Sequence, residues 1–184
     1  MSKMIECTID SIRVSLTNQD RIVVLKERDA QRYLPIWIGV FESEAITIAL
    51  QRISVARPLT HDLLKTLLNI LEGQLIAVEI TLLENDTYYA NLVIEQSGTR
   101  KYVDCRPSDA LALVVRTGVP IFVDEEVLDS AGIRPEDTEG FEEEPTIDEA
   151  LPGANLSAFE DFLKDLNLNK PQADDPDPEQ PLDE

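Results

Sequence analysis

Two carboxylates, a guanidinium and a hydroxyl fall within the six residues Asp104-Cys-Arg-Pro-Ser-Asp109. A second polar group, Arg57-Pro-Leu-Thr-His-Asp62, contains the only histidine of the chain, and any imidazole-based proton transfer therefore rests on His61. Hydrolysis of a phosphodiester needs charge stabilisation on the phosphate, an activated water and a proton for the leaving oxygen. Arg57 and Arg106 can grip phosphate bidentately, with Thr60 and Ser108 adding hydroxyls. His61 can act as base or acid, or simply cap a helix. Asp104 and Asp109 can share a divalent cation such as Mg²⁺, with Glu44 a third candidate ligand, or can be spent on Arg106 and backbone N–H groups. The sequence has no HExxH, GxxxxGK[ST], GxSxG or GxGxxG, so no motif here demands an organic cofactor.

These residues need elements to hold them, and the hydrophobic pattern supplies a set. Tyr102-Val103 close a β-rich run and Pro107 suits the first position of a helix, since its missing N–H is not needed there. Ala110–Val115 is apolar throughout, as a buried helix requires. Upstream, Met4–Leu16 and Arg21–Glu27 read as a hairpin about the turn Thr17–Asp20, and Tyr33–Ile38 as a third strand whose Pro35 favours an edge. Gly39 permits a sharp turn into a helix over Phe41–Ile53.

The same order recurs with strands at Gln74–Leu83, Thr87–Gln96 and Arg100–Cys105, then the helix after Pro107. Ser43-Glu44-Ala45-Ile46 superimposes on Ser108-Asp109-Ala110-Leu111. A duplicated βββα unit follows, in an α+β fold of packed antiparallel or mixed sheets, with the two copies expected face to face. Between them a helix is expected, with Thr60 as its N-cap, Leu63, Leu64, Leu67, Leu68 and Leu71 as its apolar face, and Gly73 just past its end. Val119–Val123 is a last strand, and Asp124 caps a short helix.

Charge is distributed unevenly. The net formal charge is −20, but residues 1–123 carry 13 Lys/Arg against 15 Asp/Glu, whereas residues 124–184 carry 3 against 21. The expected organisation is a domain over 1–133 and an acidic, largely disordered tail over 134–184, with an amphipathic helix at 157–168 built on Phe159, Phe162, Leu163 and Leu166. A nearly neutral body offers no global basic field to steer a polyanion. Neither the start of the chain nor any apolar run suggests export or a membrane span, so a cytoplasmic protein without membrane partners is expected. Cys7 and Cys105 have no ligand spacing and read as small buried hydrophobes. The surplus of apolar side chains around Trp37 and Leu63–Leu71 favours a homodimer or higher homo-oligomer.

Three stretches in order, Leu34-Pro-Ile-Trp-Ile-Gly39 with Glu44-Ala45, Arg57–Asp62, and Asp104–Leu113, resemble the bifunctional nuclease domain family, long catalogued as a domain of unknown function. The resemblance spans roughly residues 4 to 133. It implies an α+β fold, oligomeric assembly and a nuclease acting on RNA and DNA. The motif positions fall on Glu44, Arg57, Thr60, His61, Asp62, Asp104, Arg106, Ser108 and Asp109. The expectation is thus a metal-assisted nuclease, with His61, Asp104 and Asp109 catalytic. The competing reading is a non-catalytic regulatory or assembly module whose polar cluster binds a small anion or braces the fold. Convergence of His61, Asp104 and Asp109 in one open pocket favours the first. Their consumption by Arg106 and backbone N–H groups favours the second.

Overall fold

The computed structural model describes residues 3–14 and 20–134. The turn at 17–19, the acidic tail, the helix expected at 157–168 and the domain boundary near 133 lie wholly or partly outside the described residues. Within them the chain runs β1 (Met4–Val14), β2 (Arg21–Glu27), β3 (Tyr33–Ile38), α1 (Val40–Leu50), α2 (Thr60–Ile70), β4 (Gly73–Glu84), β5 (Thr87–Gln96), β6 (Thr99–Cys105), α3 (Pro107–Thr117), β7 (Ile121–Asp124) and α4 (Glu125–Ala131). This is an α+β arrangement, and β1–β2–β3–α1 recurs as β4–β5–β6–α3.

The copies do not pack face to face. They lie side by side in one seven-stranded mixed sheet of order β3-β2-β1-β7-β4-β5-β6. The reason is β7, an apolar strand buried along most of its length. It pairs antiparallel with β1 and parallel with β4, so it satisfies the inner edges of both meanders at once. Pro35 lies, as expected, in an edge strand, where its missing N–H costs no ladder bond. The sheet curls strongly. Five strand spacings separate β3 from β5, roughly 24 Å if flat, yet the Tyr88 hydroxyl donates to the Pro35 carbonyl at 3.3 Å.

Turn chemistry explains the meander. Asn85 and Asp86, and then Ser97 and Gly98, all take positive φ, the backbone that lets a two-residue turn match the twist of its strands. Helix α3 begins with Pro107 and ends on Gly118 at φ 74°, whose N–H donates to the Val114 carbonyl. Its Ala110, Leu111, Ala112 and Leu113 are almost fully buried, and the small residues allow α1 and α3 to pack directly on each other. Gly39 has ordinary extended backbone, so it is not needed for the turn. A Cβ there would displace the end of the Glu42 side chain, which lies over this position.

One expectation for α2 requires correction. Gly73 is not the left-handed residue after the helix; Glu72 takes that conformation at φ 56° and Gly73 opens β4. The leucine face is largely the uncovered apolar surplus expected of it, with Leu68 alone packed against Leu75, Ile94 and Leu113. Leu63, Leu64, Leu67, Ile70 and Leu71 are all exposed, and the buried residue of the helix is His61. Helical periodicity marks an apolar face without saying what covers it.

Candidate active site

Three elements converge on a cleft of about 1120 Å³: the start of α1, the start of α2 and the β6–α3 junction. Its walls include Glu42, Glu44, Thr60, His61, Asp104, Arg106 and Asp109, with Phe41, Leu64, Tyr88 and Tyr89 as apolar surface. Thus His61, Asp104 and Asp109, separated in sequence by up to 48 residues, do meet in one cavity.

Asp109 is the hub. It sits in the first turn of α3, and its Oδ1 lies 3.2 Å from His61 Nε2 while its Oδ2 accepts from Arg106 Nε at 2.8 Å. Arg106 turns its Nη2 to Glu42 Oε1 at 2.7 Å, joining α3 to α1. The Asp109 carboxylate, followed by that of Glu42, pushes the Arg106 pKa above its already high ordinary value, so the guanidinium stays charged. Arg106 is nonetheless two-thirds exposed, leaving its outer N–H groups open to a ligand.

The imidazole is held differently. The His61 side chain is 8% exposed, and its Nδ1 is the only buried side-chain polar atom without a hydrogen-bond partner among the described residues. The tautomer follows from the contacts. With the proton on Nε2, Asp109 accepts it and Nδ1 carries only a lone pair. The opposite tautomer would bury an unpaired N–H and set a lone pair against a carboxylate.

Asp62 fastens the start of α2. Its Oδ2 accepts the Leu59 N–H at 2.9 Å, doing the capping expected of Thr60, and its Oδ1 accepts from Arg116 Nε at 2.7 Å. Burial works to raise the Asp62 pKa, but the Leu59 N–H and the Arg116 guanidinium outweigh it, and the net shift is downward from 3.8. A depressed folded-state value stabilises the fold fully above the unfolded carboxylate range, and the contribution is lost as pH falls through it. Urea midpoints should therefore fall below about pH 4 in the wild type, and this acid limb should be shallower in Asp62→Asn.

Not every expected residue belongs here. Arg57 lies exposed on the α1–α2 linker and is not among the residues lining the cleft. Ser108 is 6% exposed and also absent from the lining, so its hydroxyl is not available for direct phosphate contact. Glu44, Asp104 and Asp109 share the cleft, but no three His, Cys, Asp or Glu side chains among the described residues gather closely enough to hold a metal ion. The donor set does not fit a preassembled metal centre, because Asp109 is already engaged by Arg106 and His61. Cys105 lines the cleft, and burial pushes its pKa up to about 11, while Cys7 reaches about 12. Both remain thiols and neither is a nucleophile near neutral pH. No helix among the described residues is long and apolar enough to cross a membrane.

The family model described as "Bifunctional nuclease domain" matches residues 23–136, which contain every side chain of the cleft. The chain belongs to the bifunctional nuclease domain family. An uncharacterized protein of Mycobacterium tuberculosis (strain CDC 1551 / Oshkosh) is 38% identical over 162 residues, covering 88% of this chain and 94% of its own length. Bifunctional nuclease 2 of Arabidopsis thaliana is 29% identical over 116 residues, 61% of this chain but 35% of its own length. A bifunctional nuclease of Oryza minuta is 28% identical over 116 residues, with 35% of its length covered.

In this bifunctional nuclease domain, sequence reasoning missed two residues. Glu42, rather than Glu44, holds Arg106; the signal was its place three residues after Gly39, where the side chain folds back over the helix start. Arg116 was the other. It donates to Asp62, to the Ala45 carbonyl at 3.0 Å and to the Ala112 carbonyl at 2.8 Å, tying all three helices of the cleft together. A lone basic residue closing an otherwise apolar helix was the available sign.

Proposed function

We propose that the domain is a nuclease that hydrolyses phosphodiester bonds of RNA or DNA, with His61 as general base. The observation that carries this reading is the Asp109–His61 pair, in which the carboxylate fixes Nε2–H and leaves the Nδ1 lone pair buried without a partner in a side chain that lines the cleft. The step requires the cover over Nδ1 to open as substrate enters; a water then admitted to Nδ1 gives up a proton to it and attacks phosphorus. The outer N–H groups of Arg106 take charge from the phosphate oxygens. The resulting imidazolium is stabilised by Asp109 and can return its proton to the leaving oxygen. Asp104, at the rim, contributes to positioning rather than to phosphate binding, because a bare carboxylate repels phosphate.

Four carboxylates face Arg106 and His61 across this cleft, so the local charge opposes a polyanion. In the proposal Mg²⁺ or another divalent cation acts only as a counterion, and no step of the reaction runs through it. End-labelled RNA and DNA incubated with the protein in Mg²⁺ or EDTA test the reading. Fragments should appear with Mg²⁺ and diminish with EDTA, and intact strands under both conditions would remove the nuclease assignment.

The same proposal includes self-association through the outer face of α2. Leu67 and Ile70 are exposed there beside Leu63 and Leu71, and a row of this kind is self-complementary about a two-fold axis. Light scattering at tens of micromolar should give a dimer or a higher homo-oligomer, and Leu67→Glu should give a monomer.

A further inference from the structure

The uninterrupted β5–β6 register pairs Asn91 with Asp104, Val93 with Tyr102 and Glu95 with Arg100. The pleat therefore sets Asp104, Tyr102 and Arg100 on one face of β6, with Tyr89 on the same face of β5 by alternation. Tyr89 is 40% exposed and Tyr102 58% exposed. Tyr89 and Asp104 also line the cleft, so this face continues from the site to the free edge of the sheet. Arg100 makes no ion pair among the described residues.

We propose that this face holds single-stranded nucleic acid, RNA or DNA, as it leaves the cleft. Unpaired bases stack on Tyr89 and Tyr102, and Arg100 meets a backbone phosphate. The inference rests on the nuclease reading of the cleft, but its residues lie outside the proposed base and its orienting carboxylate. Exposed aromatic faces recognise any base that is free to unstack, whereas bases inside a duplex are already stacked on one another. The two tyrosines stand roughly 13 Å apart along the strand direction, so they serve different bases. Glu95 opposite Arg100 and Asp104 beyond Tyr102 cancel much of the local positive charge. Binding here is therefore dominated by stacking, with a shallow salt dependence close to that of one phosphate contact, a log–log slope of about −0.7.

The test measures binding apart from cleavage. Full-length protein carrying His61→Gln is titrated against fluorescent 12-nucleotide RNA and DNA single strands and against the matching duplexes, with anisotropy as the readout. Tyr102→Ala should weaken single-strand binding about tenfold, Tyr102→Phe should restore it, and neither should shift the melting temperature. Duplex should bind more weakly than single strand and be indifferent to Tyr102. Unchanged single-strand binding in Tyr102→Ala, equal or tighter duplex binding, or no binding at all would overturn the proposal. Tyr102-dependent binding by a protein that cleaves nothing would support this surface while removing the nuclease reading, so the two failures are distinguishable.

Discussion

Asp109→Asn is expected to lower the cleavage rate by a factor of about 10²–10⁴, the range ascribed to a positioned general base, while the fold is retained. Arg106 has no acceptor to offer, so an amide at position 109 must turn its oxygen to Arg106 Nε. Its NH₂ then faces His61 Nε2, which must become the acceptor. The imidazole proton moves to Nδ1, and the base is lost although every heavy atom keeps its place. Asp109 is itself 30% exposed, and the change conserves shape, so the melting temperature should stay within a few degrees, equivalent to about 1 kcal/mol. An Asn variant that folds and cleaves like the wild type would remove Asp109 from the mechanism, and one that does not fold would make it a structural brace.

The second large effect is on stability. Arg116→Met should destabilise the domain by about 2–3 kcal/mol, a fall of the melting temperature on the order of 10 °C. The Arg116 side chain is 6% exposed, and the substitution removes its three hydrogen bonds while leaving Asp62 without its cation. The cost stops short of the largest values for broken buried pairs because Asp62 is 36% exposed and can be rehydrated. Ala45 and Ala112 lie inside helices, so their carbonyls also have helical partners. Differential scanning calorimetry measures the shift. Because Asp62 adjoins His61, activity should fall as well, even below the melting transition.

These two predictions also mark what could and could not be read from the sequence. The βββα repeat and its turns were legible because local chemistry dictates them: alternation in the strands, Asn85-Asp86 and Ser97-Gly98 at the reversals, Pro107 opening α3. The arrangement of the copies was not, because it depends on which edges β7 closes, a long-range choice that no local pattern encodes. The surplus of α2 leucines was legible from their number in so small a domain, and all but Leu68 of that face are exposed. Within the site, the nearness of His61 and Asp104–Asp109 was expected from their places at helix mouths, and the structure unites them. That Asp109 orients His61 while Arg106 leans on Glu42 follows from the α1–α3 packing. Ser108 failed for the same reason, since its place in the first turn of α3 faces the interior instead of the cleft.

The measurement closest to the central claim is the rate of cleavage of end-labelled single-stranded RNA by wild type and His61→Gln, purified identically so that a contaminating nuclease would appear in both. Cleavage by the wild type and a loss of at least about a hundredfold in the variant is the result expected if His61 is the base. Equal rates in the two preparations, or intact RNA in both, would contradict it.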